Sequence, residues 1–317
     1  AMSSSSRDAV PRLVVLRCAH WPVVVARAQP DEPVAVVRAN RVIAHSRAAE
    51  GIAVGQRRRE AQSRCPHVRI VSADPEHEAR MFEHVVRAVG VMVPRLEVTE
   101  PGTLTFTARG PARYFGGEEA MALAVVERAE HAARAAGIGI DAVAGFGTGV
   151  GDGRFAAGVA ARSVPRAAGG AARRTVEVVP AGGAEAYLAD RPVDALVEVA
   201  DVPPELVHLL HRLGIHRLGA LAVLPAADLS ARFGAMGAFA HRLATGADDR
   251  LPGAHDPPAG LAVQRAFEPP VHHSDALVFV ARQLADELVA VLAGDGRVCT
   301  RLLVTAETEH GERSERT

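Results

Sequence analysis

A short segment between two apolar helical patterns carries residues with a clear chemical role. Residues 213–219 read Leu-Gly-Ile-His-Arg-Leu-Gly, which matches a helix-hairpin-helix, where glycines let backbone N–H groups turn outward. The positive end of the following helix adds to these donors, so such a loop holds phosphate oxygens without reading bases. The structural alternative is an ordinary helix C-cap with a hydrophobic contact. We predict a clamp for a nucleic-acid backbone, formed by Gly214, Ile215, His216, Arg217 and Gly219.

A second candidate for phosphate binding is an arginine-rich stretch nearer the N-terminus. The eight arginines between residues 38 and 69 stand against only Glu50 and Glu60. Charge runs of this kind are usually solvated helix faces. The functional alternative is a surface that meets phosphate, with Arg57, Arg58 and Arg59 at its centre.

Other chemistry is limited by residue type. All 36 basic residues are arginine, which excludes a Schiff-base lysine and the lysine of a P-loop. The glycine-rich residues 147–153 are therefore interpreted as a backbone turn and not as a nucleotide site. Cys18, Cys65 and Cys299 have no metal-binding spacing, and Cys18 is interpreted as a small buried residue. The pair His272-His273 has no accompanying ligands, so no metal and no cofactor are predicted.

Length and composition bound the remaining possibilities. A chain of 317 residues with 48% hydrophobic residues is long enough for two to four domains. The net charge of −1 excludes a globally basic nucleic-acid coat protein, although it allows local basic patches. No apolar run reaches the ~18 residues of a membrane span. With few cysteines and no signal-peptide pattern, the sequence predicts a cytoplasmic protein.

The apolar spacing predicts the elements that must position these residues. Strands are predicted at 13–16, 33–37, 104–107 and 137–144, and helices at 75–93, 118–136 and 154–162. This order predicts an α+β sheet domain with helices on one face. After a loop at 165–170, short helices follow as far as residue 246. A Pro- and Gly-rich linker then leads to a strand at 263–267, a helix at 274–292 and a strand at 301–306.

Several motifs together resemble the Y-family translesion DNA polymerases over nearly the whole chain. The run from Leu213-Gly214-Ile215 through Phe233-Gly234 to residues 244–246 is similar to the thumb. Residues 33–36 and 51–66 resemble the fingers, 149–160 the glycine-rich turn and helix of the palm, and 267–271 the entry to the little finger. The order and spacing of these motifs carry the resemblance. It implies an α+β multidomain fold with palm, fingers, a helix-hairpin-helix thumb and a partial little finger.

The resemblance also implies domain boundaries. The palm is expected at residues 10–24 and 75–168, with the fingers at 25–74 between its two parts. The thumb is expected at 169–249, followed by a linker at 250–262. The last segment, 263–317, is expected to be a truncated little finger.

The departures from the family pattern carry the functional prediction. Leu16 stands where the family has its first catalytic aspartate, Cys18 stands at the next acid-like position, and His20-Trp21 replace an aromatic pair. Gly102 and Thr103 replace the Asp-Glu of the second motif. Two-metal phosphoryl transfer needs carboxylates around two Mg²⁺ ions ~3.5–4 Å apart. The palm is therefore predicted to be catalytically inactive.

The positions that hold the incoming nucleotide are also altered. His45 and Ala48 align with a tyrosine and an arginine of the fingers, and Arg154 aligns with a lysine of the palm. Glu97 matches a structural position, and Glu100 approaches the site only through a register shift. A polymerase scaffold without its acids resembles the catalytically inactive ImuB-type branch of the family, most closely in residues 13–21 and 113–118.

That branch implies a non-catalytic adaptor of a mutagenic SOS repair assembly, associated with the nucleoid. The implied partners are DNA, bound weakly through its backbone, an error-prone replicative-type polymerase, the sliding clamp and a RecA-like accessory protein. In the family the protein contacts lie mainly in C-terminal residues, and no clamp-binding peptide is recognised here. Two alternatives remain. One is an active but divergent polymerase that uses Glu97 or Glu100, and the other is a helix-hairpin-helix repair protein with an unrelated N-terminal domain.

Overall fold

The computed structural model describes residues 10–93, 95–140, 145–164, 175–252, 262–267, 270–271, 274–294, 299, 302–308, 310 and 312–316. The chain divides into two compact units, Ala1–Gly253 and Ala254–Thr317. The predicted loop at 165–170, most of the predicted linker and His272-His273 lie outside the described residues. Among the helices in the described ranges, none combines the length and the hydropathy that crossing a membrane requires.

The elements are numbered in chain order. The strands are β1 (Arg12–Cys18), β2 (Val34–Arg38), β3 (Arg41–His45), β4 (Arg69–Ser72), β5 (Leu96–Glu100), β6 (Thr103–Thr107), β7 (Phe146–Asp152), β8 (Val176–Val178), β9 (Val304–Glu307) and β10 (Arg313–Arg316). The helices are α1 (Trp21–Val25), α2 (Arg58–Arg64), α3 (Pro75–Gly90), α4 (Arg109–Phe115), α5 (Glu118–Ala135), α6 (Gly153–Ser163), α7 (Ala184–Ala189), α8 (Ala195–Ala200), α9 (Pro204–Arg212), α10 (Leu218–Ala222), α11 (Ala226–Ala244) and α12 (Ser274–Gly294).

A five-stranded sheet of order β5-β6-β1-β7-β8 forms the centre of the first unit. Strand β1 lies antiparallel between β6 and β7. Its side chains alternate: Val14 and Leu16 join the core beneath α3 and α5, whereas Leu13 and Val15 pack on α6. Helices therefore cover both faces, and the prediction of helices on one face was wrong. A strand covered on both sides needs an unbroken apolar run, which is what β1 has.

The glycine-rich segment predicted as a turn is instead the fully buried strand β7. A Cβ added at Gly149 would lie 2.1 Å from the carbonyl oxygen of Ala157, in α6. Glycine at alternate positions thus lets α6 lie directly on the strand, and this packing overrides the low strand propensity of glycine.

The strand predicted from residue 137 was also wrong, because residues 137–140 are not in a strand and residues 141–144 lie outside the described ranges.

A smaller three-stranded sheet of order β3-β2-β4 lies between β1 and α3 in the sequence. Strand β2 pairs antiparallel with β3 and parallel with β4. Ala39 and Asn40 connect β2 to β3, and both have positive φ, as a tight two-residue hairpin requires. The sheet packs its apolar side chains against α2 through Ala61, which is fully buried.

Helices α7 to α11 form a helical cluster with a core of small and branched apolar residues. Leu188, Leu196 and Leu218 are fully buried in this core, and Phe155 from α6 joins it. Strand β8 lies within the range predicted for the thumb, yet it pairs parallel with β7 in the central sheet.

The second unit contains α12 and the antiparallel pair β9 and β10. The guanidinium of Arg265 lies 3.9 Å from the carboxylate of Glu287 on α12. The strand predicted at 263–267 was wrong, because residues 262–267 have no regular secondary structure. Its apolar pattern is short, and in the described part of the chain no neighbouring strand pairs with it.

Candidate functional site

The C-terminal end of β1 and the N-terminal end of β6 place two of the predicted degenerate positions, Leu16 and Thr103, on neighbouring strands. In the antiparallel register Leu16 faces Leu104, and Arg17 faces Thr103. Leu16 is fully buried in the core shared with α3 and α5, whereas Thr103 is half-buried. The position predicted to lack its catalytic aspartate is therefore an apolar core position.

The tight turn between β5 and β6 places Gly102 against Trp21. Gly102 has φ of +96°, and a Cβ built there would lie 2.6 Å from the Cβ of Trp21. The carbonyl of Gly102 accepts a hydrogen bond of 2.8 Å from the N–H of Cys18. A side chain at position 102 therefore meets both a disfavoured backbone conformation and an occupied space.

Trp21 is held rigidly in this position. Its indole Nε1 donates a hydrogen bond of 3.0 Å to the carbonyl of Glu78, and its ring packs edge-on against Phe82 at 5.2 Å between centroids. The side chain is 1% exposed. Because the indole N–H is satisfied and the ring is packed, Trp21 does not readily move aside.

The two nearby acids are placed differently from each other. Glu97 on β5 forms a two-bond ion pair with Arg154 of α6, with Nη1 donating to Oε1 at 2.9 Å and Nη2 to Oε2. Glu100 is exposed and lies 3.4 Å from the hydroxyl of Thr103. Within the described ranges, no group of three or more His, Cys, Asp or Glu side chains has the geometry to hold a metal ion.

The predicted nucleotide-binding positions are brought together only in part. The rings of His20 and His45 approach to 5.9 Å between centroids, and the Nδ1 of His45 donates to the carbonyl of Ser46 at 3.0 Å. Ala48 is half-buried in the loop that follows β3. Arg154, predicted to stand at the position of the palm lysine, has the carboxylate of Glu97 as its partner. The one cation among these positions is thus neutralised within the protein.

Sequence reasoning missed a buried carboxylate at the N-terminus of α6. Asp248 is 3% exposed, and its Oδ2 accepts a hydrogen bond of 2.9 Å from the N–H of Phe155. The guanidinium of Arg250 donates to both oxygens of Asp248, at 2.7 and 2.9 Å. A carboxylate here satisfies a free helix N–H and complements the helix dipole. The Asp-Asp-Arg sequence after Gly246 was the available signal.

The charge of Asp248 is stabilised by these contacts. Burial on its own raises the pKa of Asp248, but the hydrogen bonds from Arg250 and from the N–H of Phe155 outweigh it and lower the pKa below its usual value. The segment that follows α11 is thereby attached to α6, which packs directly on the central sheet.

The helix-hairpin-helix residues Gly214 to Arg217 occupy the loop between α9 and α10, and Gly219 lies in the first turn of α10. Gly214 has φ of +78° with open space around it, and Ile215 packs on the helical core. His216 and Arg217 are exposed, and Arg217 lies 3.1 Å from the carboxylate of Asp190. A Cβ at Gly219 would meet the backbone of Ala189 at 2.9 Å. The loop thus presents His216 and Arg217 to solvent, while Gly219 serves close packing.

The three predicted finger arginines lie together at the start of α2. Arg57, Arg58 and Arg59 are exposed and, with Asn40 and Gln62, line an open depression of about 520 Å³. Within the described part of the chain these three arginines form no ion pair with an acidic side chain. The structure therefore presents a concentrated positive charge at this surface.

The mixed α+β fold is similar to that of solved Y-family DNA polymerases, as the sequence motifs predicted, and three structures show this likeness. DinB from Sulfolobus solfataricus is 14% identical with a TM-score of 0.60, over 75% of this chain and 68% of that chain. A ternary complex of Dbh is 13% identical with a TM-score of 0.58, over 76% and 68%. An insertion ternary complex of Dbh DNA polymerase is 13% identical with a TM-score of 0.59, over 76% and 69%. These matches confirm the predicted fold class.

The sequence comparison points in the same direction over a shorter range. Residues 18–152 match the family model IMS, described as the impB/mucB/samB family. This range runs from the end of β1 to the end of β7. No curated protein sequence is significantly similar to the chain.

Proposed function

We propose that the protein is a Y-family polymerase homologue of the inactive ImuB type, and that it acts as a non-catalytic adaptor in an SOS-type translesion-synthesis assembly. The observation that carries the proposal is the packing of Gly102 against Trp21. The position where the family has a catalytic acid has φ of +96° and no space for a side chain. Leu16, at the other position, is fully buried among apolar residues.

The side chains at this site do not fit the Mg²⁺ ions that polymerase chemistry uses. Mg²⁺ requires oxygen ligands in near-octahedral geometry, and two ions require shared carboxylates. Leu16 and Gly102 have no side-chain oxygen, and Thr103 contributes a single hydroxyl. We therefore assign no phosphoryl-transfer step to these residues.

Two observations disfavour the alternative functions. An active polymerase that used Glu97 would have to break the two-bond ion pair with Arg154, in which both side chains are largely shielded from solvent. A repair protein with an unrelated N-terminal domain is at odds with the family match over residues 18–152.

The proposed loss of catalysis predicts that the pure protein does not extend a primer with either Mg²⁺ or Mn²⁺. The measurement is extension of a labelled primer–template by all four deoxynucleotides, with an active Y-family polymerase as the positive control. The matched variant is Glu97→Ala with Glu100→Ala. Extension above background that this double variant abolishes would show an active, divergent polymerase and overturn the proposal.

The adaptor role implies protein partners of defined kinds. We expect an error-prone replicative-type polymerase, the sliding clamp and a RecA-like accessory protein, with association near the nucleoid. Affinity capture of the tagged natural protein from DNA-damaged cells tests this expectation against undamaged cells. Capture that yields no polymerase in damaged cells would count against the adaptor role and would leave the primer-extension result unaffected.

DNA-backbone binding is proposed for two surfaces, the hairpin between α9 and α10 and the arginines at the start of α2. Both are exposed and neither carries a base-reading arrangement. The net charge of −1 gives no general attraction, so binding must come from local charge. We therefore expect weak binding that is sequence-independent and sensitive to salt.

The salt dependence provides the quantitative prediction for the arginine surface. Replacing Arg57, Arg58 and Arg59 by alanine is expected to lower the log–log salt slope on duplex DNA by about two to three, at ~0.9 per phosphate contact. The binding constant is measured by fluorescence anisotropy at salt concentrations from roughly 50 to 300 mM, and its dependence on salt gives this slope. The matched control replaces Arg80, Arg87 and Arg134, which are exposed but paired with glutamates. Equal slopes for the two triple variants would contradict the assignment.

A further inference from the structure

Two histidines meet at the hairpin between α9 and α10. His211 lies in the last turn of α9, and His216 lies in the loop just before α10. Their Nδ1 atoms are 2.9 Å apart, and the rings are inclined at 40° with centroids 5.1 Å apart. Two ring nitrogens at this distance share one proton, so at least one of them presents a lone pair to the other.

Asp194 determines which nitrogen of His211 carries a hydrogen. The Nε2 of His211 lies 3.1 Å from Oδ2 and 3.3 Å from Oδ1 of Asp194. A carboxylate only accepts hydrogen bonds, so Nε2 is the donor. In neutral His211 the lone pair is then on Nδ1, directed at His216.

The contact between Asp194 and Nε2 of His211 is the one that metal-binding histidines commonly make in proteins. A ligating imidazole almost always donates its other N–H to a carboxylate or carbonyl, which orients the ring and raises its basicity. We propose that His211 and His216 form a two-imidazole site for a borderline divalent transition-metal cation such as Zn²⁺, with Asp194 as the carboxylate that orients His211.

Binding requires the two rings to turn as well as to separate, because the Nδ1 lone pairs must converge on the ion and the hydrogen on Nδ1 of His216 must move to its Nε2. With Zn–N bonds of about 2.0–2.1 Å, two ligands of a tetrahedral ion lie about 3.3 Å apart, so the ring nitrogens separate by ~0.4 Å. The side chain of His211 is 33% exposed and His216 is exposed. The remaining positions around the ion face solvent and are available to water.

The surrounding charges and the ligand type set the selectivity. Arg212 is exposed on α9 and its charge opposes a cation, whereas the charge of Arg217 is offset by Asp190. Imidazole favours Zn²⁺, Cu²⁺ and Ni²⁺, and Mg²⁺ prefers oxygen. The site therefore selects against Mg²⁺, in contrast to a polymerase centre. The proposal concerns the metal alone and does not depend on the proposed function.

The test is calorimetric titration of the whole chain with Zn²⁺ in the presence of excess Mg²⁺. The chain has 14 histidines, so the site is defined as the binding transition that His211→Ala and His216→Ala each weaken by at least about tenfold. Asp194→Asn keeps both ligands and is expected to weaken the same transition by about 10- to 100-fold. The matched control is His84→Ala, which removes an exposed histidine on a different helix, α3.

Circular dichroism of each variant shows that the fold is retained, and Co²⁺ provides a spectroscopic check. Tetrahedral Co²⁺ bound by imidazole absorbs in the visible region, and His216→Ala is expected to abolish that band. Unchanged Zn²⁺ binding by His216→Ala overturns the proposal. An equal loss in His84→Ala also overturns it, because binding would then be adventitious surface binding. Loss in the histidine variants without any loss in Asp194→Asn would overturn the orienting role of Asp194.

Discussion

Replacing Leu16 and Gly102 together by aspartate is expected to lower the free energy of unfolding by at least about 4 kcal/mol, and not to restore polymerisation. Leu16 is fully buried, so an aspartate there must remain charged without a partner or take up a proton, and both outcomes are costly. At position 102 the new side chain meets Trp21 and a φ of +96°. The double variant also keeps His45 and Ala48 at the two positions where the proposed alignment expects the tyrosine and arginine that hold the nucleotide.

Single variants measure the separate effects of positions 16 and 102 on the free energy of unfolding, and they remain informative if the double variant does not fold. Gly102→Ala adds only a methyl group, so its cost isolates the contact with Trp21 and the strained backbone, and about 2 kcal/mol is expected. Comparing Leu16→Asn with Leu16→Asp isolates the cost of the charge. The measurements are chemical denaturation and thermal melting with and without Mg²⁺. A parent protein that melts higher with Mg²⁺, or a double variant as stable as the parent, would contradict the packed-site interpretation.

Removing the carboxylate of Asp248 is expected to cost about 2–4 kcal/mol of stability. Asp248→Ala loses the bond to the N–H of Phe155 and leaves Arg250 without its partner. The guanidinium of Arg250 is partly exposed, so Arg250→Ala is expected to cost less than Asp248→Ala. A double-mutant cycle of these two positions, measured by chemical denaturation, gives the coupling energy. Additive costs would show that the pair does not act as a unit.

The same carboxylate predicts a pH dependence of stability. Because the pKa of Asp248 is lowered in the folded protein, its contribution is fully present above the unfolded pKa of about 3.9. It is lost as the pH falls through the lower folded pKa. Asp248→Asn should therefore lose less stability than the parent when the pH falls from about 5 to about 2. Parallel curves for the two proteins would show that the pKa is not lowered.

The chemical identity of the altered positions was available from the sequence alone. A leucine at position 16 and a glycine at position 102 have no side-chain oxygen in any conformation, so neither side chain can be a ligand of Mg²⁺. The apolar run of β1 and the helical spacing of α3 and α5 were also predicted correctly, because local periodicity follows from burial on a fixed face. The order of the motifs was sufficient to predict the fold class.

Only the tertiary structure showed that residues 146–152 form a strand and not the predicted turn. Glycine disfavours strands as an isolated residue, and the sequence therefore indicated a turn. In the folded protein α6 lies so close to β7 that a Cβ at Gly149 would overlap the backbone of Ala157. Close packing between a helix and a strand thus outweighed local propensity, which a sequence pattern does not report.

The partners of the charged groups were likewise decided only in three dimensions. Glu97 and Arg154 are 57 residues apart, and Asp248 lies 93 residues from Phe155. Residue spacing identified the hairpin as a candidate and the family resemblance identified Arg154, but neither identified the carboxylates that neutralise or orient them. Ion pairs and hydrogen bonds act over a few ångströms. Their formation therefore depends on how the sheet and helices assemble, whereas the lack of a side-chain oxygen at positions 16 and 102 depends only on which amino acids stand there.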